Sequence, residues 1–132
     1  MMKNRIFIMG ISGQLGINLK KKLSKKYDCV GFESTNLDIR DFKKTEKFII
    51  NYQPDFIINA SAYTNVDLAE KNKKLANEIN HLGVNNVARI SSEINVPLLH
   101  FSTDYIFSVK RKNHIKKMIF PILLIFMDCL SY

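Results

Sequence analysis

Arg5-Ile6-Phe7-Ile8-Met9-Gly10-Ile11-Ser12-Gly13-Gln14-Leu15-Gly16 decides the fold. Its first five residues, Arg5–Met9, are a short apolar run with the length and flanks of a buried strand. Gly10, Gly13 and Gly16 then follow at G-x-x-G-x-x-G spacing. Across Gln14–Lys25 the leucines at 15, 19 and 23 recur at helical spacing. A glycine turn by itself is weak evidence, because such a turn is often only a turn. Placed between a strand and a helix it reads as a phosphate-binding loop. Gly10 makes the tight turn, Gly13 lets backbone N–H groups approach a pyrophosphate, and Gly16 allows close helix–strand packing.

Working outward, strands and helices alternate. Cys29–Phe32 reads as a second strand and Leu37–Ile39 as a short third one. Phe42–Tyr52 reads as a helix with Phe42, Phe48, Ile49 and Tyr52 on one face, ended by Pro54. Phe56–Asn59 is a further strand. Asn65–Ile94 is mostly helical, in two pieces, with Leu75, Ile79, Leu82, Val87 and Ile90 as its apolar stripe. Asn95-Val96-Pro97 turns the chain into the strand Leu98–Phe101. This alternation predicts an α/β fold of Rossmann type: a doubly wound parallel sheet, right-handed crossovers and helices on both faces.

The 132 residues suffice for one domain and are short for a two-domain enzyme. Residues 1–107 are expected to form a dinucleotide-binding domain, incomplete and without a substrate-binding half. The net charge of +8 divides evenly, because residues 108–132 hold five Lys/Arg against one Asp. The excess on the first 107 residues is scattered and lacks interleaved aromatics, which argues against nucleic-acid binding. Cys29 and Cys129 make neither a disulfide framework nor a metal site, and a reducing cytoplasm fits. Ile6–Ile11 is too short for a signal peptide. Met118–Met127 falls far short of the ~20 residues that span a bilayer, so no membrane partner is expected.

Further motifs sit at strand ends. Glu33 can accept hydrogen bonds from adenosine ribose hydroxyls and would repel a 2′-phosphate, or it simply faces solvent. Asp38 and Ile39 can border an adenine, with Asp38 near its amino group, or Asp38 is a turn residue. The small residues of Asn59-Ala60-Ser61-Ala62-Tyr63-Thr64 let a cofactor lie against backbone, or form a plain strand-to-helix turn. Asn80 either pins neighbouring backbone from an apolar helix face or points to solvent. Ser102-Thr103-Asp104 offers a hydroxyl that can polarise a substrate carbonyl, or a helix cap. His100, inside an apolar run, reads as structural. His81 and His114 show no metal-site pattern.

Taken in order, G-I-S-G-Q-L-G (10–16), L-D-I-R-D (37–41), P-D-F-I-I-N-A-S-A-Y-T-N-V-D-L-A-E (54–70), I-N-x-x-G-V-N-N-V-A (79–88) and H-F-S-T-D-Y-I-F (100–107) resemble the dTDP-4-dehydrorhamnose reductases, within the extended short-chain dehydrogenase/reductases. The resemblance implies NADPH- or NADH-dependent reduction of the C4 ketone of dTDP-4-dehydro-6-deoxy-L-mannose to dTDP-L-rhamnose, for polysaccharide biosynthesis. It implies cofactor contacts at Gly13, Gln14, Leu15, Asp38, Ile39, Ala62, Tyr63, Thr64 and Phe101. It matches Thr103 to the catalytic hydroxyl and Asp104 to a substrate-binding position. A homodimer belongs to the intact family.

The family also has a catalytic Tyr-x-x-x-Lys about two dozen residues beyond the threonine, where the lysine lowers the tyrosine pKa. This sequence has Phe126-Met127-Asp128-Cys129-Leu130 there, Tyr132 has no lysine after it, and Tyr27, Tyr52 and Tyr63 come too early. The expectation for this polypeptide is cofactor binding without turnover. The alternatives are a non-catalytic nucleotide-binding regulatory module, as in the regulatory subunits of methionine adenosyltransferase, or a pseudogene product.

Residues 108–132 read as a non-family tail. Taken one base out of register from Val109, with allowed codon choices, they can read F-S-G-K-K-K-K-P-Y-K-E-N-D-I-P-N-P-I-N-I-Y-G-L-S-K from Phe107 onward. That order resembles the family's continuation, including Tyr-Gly-x-Ser-Lys at the expected spacing. One base lost near Ser108–Val109, by mutation or sequencing error, accounts for it. An out-of-frame tail lacks selected packing and is expected to be poorly ordered or to pack opportunistically.

Overall fold

The computed structural model describes residues 2–61, 70–102 and 122–126. Its elements are β1 (Arg5–Met9), α1 (Gln14–Leu23), β2 (Asp28–Phe32), α2 (Phe42–Tyr52), β3 (Phe56–Asn59), α3 (Lys73–Asn77), a π-helical turn (Glu78–Gly83), α4 (Val84–Ile94), β4 (Leu98–Ser102) and β5 (Ile122–Phe126). The five strands form one sheet in the order β2-β1-β3-β4-β5, all pairs parallel. The chain leaves β1 for β2 on one side and returns to β3 on the other. That reversal opens a crevice at the carboxyl ends of β1 and β3, where doubly wound sheets bind ligands.

Strand alternation sorts side chains to two faces. Phe7, Met9, Ile57 and Leu98 enter one core with Leu37, Ile39, Ile49, Val87 and Ile90, beneath α2 and α4. Ile6, Ile8 and Ile58 enter the other, against Leu19 and Leu23 of α1. Helices therefore cover both faces, as the alternation predicts.

Local chemistry sets the helix ends. Asp41 caps α2 by accepting from Lys44 N at 3.1 Å, and Gln53 ends it in the left-handed region at φ 52°, just before Pro54. Asn95 ends α4 likewise at φ 56°, while Ser91 Oγ donates to Val96 O. Three lysines, 20 to 22, occupy the last turn of α1, where the helix dipole favours cations.

Three departures from the sequence pattern matter. Leu37–Ile39 is not a strand. Its apolar residues are buried, but its carbonyls bond outside the sheet: Thr45 Oγ1 donates to Asp38 O at 3.2 Å and Asn86 Nδ2 to Ile39 O at 3.0 Å, the same amide also reaching Arg40 O at 3.2 Å. Leu82 leaves the predicted apolar stripe and is 48% exposed, because the π-helical turn breaks the regular helical period. Finally, Ile122–Phe126 adds a parallel strand beside β4, beyond the last strand read from sequence. An uninterrupted run of Ile, Leu and Phe has the composition that favours strands, whatever the origin of the segment.

Candidate functional site

The glycine loop is wedged between the ends of β2, β3 and the start of α1. Gly10 has φ +80°, a conformation that side chains rarely adopt. A Cβ there would lie 2.6 Å from the Ala60 carbonyl and from Ser61 N, so the chain leaving β3 runs in backbone contact with the loop. A Cβ on Gly16 would run into Gly10 O and lie 2.7 Å from Ile11 Cα. Gly16 thus packs α1 onto the loop itself rather than onto a strand. A Cβ on Gly13 would meet only Gly10 O, at 3.7 Å, so Gly13 serves the open side of the loop.

Gly13 is also the N-cap of α1 and makes no side-chain cap bond. The first-turn N–H groups of a helix have no intrahelical partner, and the helix dipole adds partial positive charge. Here those groups belong to Gln14, Leu15 and Gly16. The combination of a bare glycine loop, a helix start and a switch-point crevice is an anion cradle fit for a pyrophosphate.

The outer rim is built by the segment after β2. Glu33 is exposed, and its carboxylate accepts from Thr35 Oγ1 at 3.5 Å. Its carbonyl accepts from Asn36 N at 3.0 Å and Leu37 N at 2.8 Å, which turns the chain back towards the core. Asp38 is tied to Arg40: Nε lies 2.9 and 3.0 Å from its two oxygens and Nη2 lies 2.5 Å from Oδ2. Hydrogen bonding to Arg40 holds the Asp38 carboxyl below its ordinary range, and the same bond, with one that Arg40 donates to Glu78, pushes Arg40 up. Arg40 Nη1 reaches Glu78 Oε2 at 3.0 Å. Ile39, expected to border an adenine, is only 4% exposed, with its side chain in the core against Gly83.

On the inner side, Asn59 Oδ1 accepts from Ser61 N at 3.0 Å and Ala60 N donates to Met9 O at 3.0 Å, so the segment after β3 turns tightly above β1. Phe101 is half-buried on the α1 face of β4. Burial pushes the His100 imidazole down, and its place among core residues agrees with a structural part. Asn80 is half-buried in the π-helical turn. Ala62, Tyr63, Thr64, Thr103 and Asp104 lie outside the described residues. No cluster of three or more metal-ligating side chains, and no helix long and apolar enough to cross a membrane, occurs among the described residues.

The structure therefore gathers Gly10, Gly13, Gln14, Leu15 and Gly16 at one crevice, with Glu33 and Asp38 towards its β2 edge and Phe101 on the β4 side. Sequence reasoning missed Arg40, Glu78 and Asn86, which fix the Asp38 segment. Nothing local distinguishes Asn86 from Asn85. It also missed Gly31, although a glycine inside a strand is a known sign of close approach.

Comparison with known proteins places this geometry. A family model described as RmlD substrate binding domain matches residues 3–118. The dTDP-4-dehydrorhamnose reductase of Aggregatibacter actinomycetemcomitans is 38% identical over 105 residues, which cover 78% of this chain and 36% of that protein. The spore coat polysaccharide biosynthesis protein SpsK of Bacillus subtilis is 33% identical over 107 residues, covering 80% of this chain and 38% of that one. The crystal structure of a Bacillus anthracis dTDP-4-dehydrorhamnose reductase in complex with NADP aligns with TM-score 0.77 at 39% identity, over 85% of this chain and 40% of that chain. The chain thus spans less than half the length of the relatives it matches.

Proposed function

Because the chain belongs to the family described as RmlD substrate binding domain, we propose that it is the cofactor-binding part of a dTDP-4-dehydrorhamnose reductase. The observation that carries this reading is the loop at the switch point. Gly10, Gly13 and Gly16 leave a cradle at the start of α1, and the chain aligns with a reductase structure holding NADP. Backbone N–H groups of Gln14, Leu15 and Gly16 bind the pyrophosphate, and Glu33 lies towards the adenosine ribose. A bound nicotinamide supplies hydride to the C4 ketone of dTDP-4-dehydro-6-deoxy-L-mannose.

In this reading Thr103 donates a hydrogen bond to the ketone oxygen and Asp104 accepts one from a sugar hydroxyl. The alkoxide formed at C4 then needs a proton donor. Residues 1–132 contain no Tyr-x-x-x-Lys to supply it. The proposal for this polypeptide is NADPH or NADH binding in the cytoplasm without turnover. The test is cofactor oxidation by the purified chain in the presence of the dTDP-4-keto sugar. Cofactor binding with no ketone-dependent oxidation is expected. Oxidation at the rate of a full-length reductase would contradict it.

A further inference from the structure

Gly31 lies in the middle of β2, on the face shared with Cys29 and α1, while Val30 and Phe32 face the opposite core. A strand glycine on a covered face leaves a gap unless something fills it. Ile11, the second residue of the glycine loop, does. A Cβ on Gly31 would collide with Ile11 Cγ2 and lie 3.0 Å from its Cδ1 and 3.3 Å from its Cβ. The backbone repeats the attachment one residue on: Gly10 N and Ile11 N both donate to Phe32 O, at 3.0 and 3.4 Å. The loop is thus held down on β2 at two points, a side chain seated on Gly31 and two N–H groups on Phe32.

We propose that Gly31 is a positioning residue for the cofactor site, setting the height of the glycine loop above the sheet through Ile11. This rests on the cofactor-binding reading above. A methyl group at Gly31 pushes Ile11 outward. Ile11 cannot rise without moving Gly10, which is closed in by Ala60 and Ser61 on one side and by Gly16 on the other. The displacement therefore passes to the first-turn N–H groups that face the pyrophosphate. Glu33, two residues beyond Gly31, stays with the strand, so the distance between the phosphate cradle and the ribose acceptor changes.

The test is a rescue. NADPH binding is titrated for the wild-type chain, Gly31→Ala and Gly31→Ala with Ile11→Ala. The single substitution is expected to weaken NADPH by about tenfold or more, since small misplacements of a positioned site are costly. Ile11→Ala removes Cγ2 and Cδ1 and is expected to restore most of the affinity. Its lost methyl groups lower stability further, so affinity and melting temperature move in opposite directions, which a purely structural role for Gly31 does not produce. Amide exchange at Gly10 and Ile11 in the free chain gives a readout without cofactor. It should quicken in Gly31→Ala and slow again in the double variant. Unchanged affinity and exchange in Gly31→Ala, or a double variant no better than the single, would overturn the proposal. A folded wild-type chain that binds no NADPH would instead overturn the cofactor reading, and the exchange result would then decide whether the seat exists.

Discussion

Asn59 and His100 are paired across β3 and β4, and each buries a polar atom with no hydrogen-bond partner among the described residues: Asn59 Nδ2 and His100 Nδ1. Asn59 is fully buried and His100 is 5% exposed. One is a donor and the other, in neutral imidazole, an acceptor when its proton sits on Nε2.

The pair predicts a pH dependence of stability. Burial holds the folded-state His100 pKa below the ordinary 6.5. Well above pH 6.5 the group is uncharged in both states and has no effect. Below about pH 6.5 the unfolded chain takes up a proton that the folded chain refuses, so stability falls as pH falls until the folded pKa is reached. Thermal melts from pH 7.5 down to 5.0 are expected to show this loss, at ~1.4 kcal/mol per pKa unit of difference. His100→Leu should flatten the curve over that window. An equal slope in the variant would assign the loss to other groups.

Asp38 acts in a different window. Hydrogen bonding to Arg40 lowers its carboxyl, so its contribution is present above the unfolded value of 3.8 and is lost as pH falls through the lower folded value. The pair is partly exposed, with side chains 39% and 41% accessible. Arg40→Met is therefore expected to cost no more than ~1 kcal/mol, measured by urea unfolding, while the loss of stability below about pH 4 becomes smaller.

Asn86→Ala should cost more than Arg40→Met, although Asn86 carries no charge. It leaves the carbonyls of Ile39 and Arg40 without the amide that binds both. A loss of about 1–3 kcal/mol is expected by urea unfolding, as for other partly buried backbone groups left unpaired. A loss under half a kilocalorie would show that water replaces the amide.

These residues also show what could be read before the structure. β1, the glycine loop, α2 and the turn at Pro54 were legible because their signals are local: an apolar run, glycine spacing, a helical face and a proline. Leu37–Ile39 looked like a strand because its apolar residues are buried, and burial is what a short apolar pattern reports. The group that takes its carbonyls, Asn86, lies 46 to 47 residues further along. The exposure of Leu82 was hidden in the same way, since a π-helical turn changes the helical period without a sequence mark. The pattern reads Gly10 as a tight turn, which its φ of +80° matches, and Gly16 as a helix–strand contact; the neighbours they actually meet, Ala60 for Gly10 and Gly10 itself for Gly16, come from the folded crossing of three chain segments.

Gly10→Ala separates fold from site. The methyl group meets the Ala60–Ser61 backbone 2.6 Å away, and φ +80° is strained for alanine. A destabilisation of about 1–3 kcal/mol is expected from the backbone conformation alone, with NADPH binding lost even where the variant remains folded by circular dichroism.

The tail is testable at the level of DNA. Sequencing the locus across the codons for Phe107 to Tyr132 should show a shifted frame encoding Tyr-Gly-Leu-Ser-Lys, and a chain with the frame restored should regain the Tyr-x-x-x-Lys absent here. A shifted frame without that pentapeptide would remove the explanation.

The central claim is that the crevice beside Gly10, Gly13 and Gly16 holds a dinucleotide. Isothermal titration of NADPH and NADH into the purified, folded 132-residue chain tests it most directly. Saturable binding of at least one of them, abolished by Gly10→Ala, is the predicted result; a folded chain that binds neither would contradict the account.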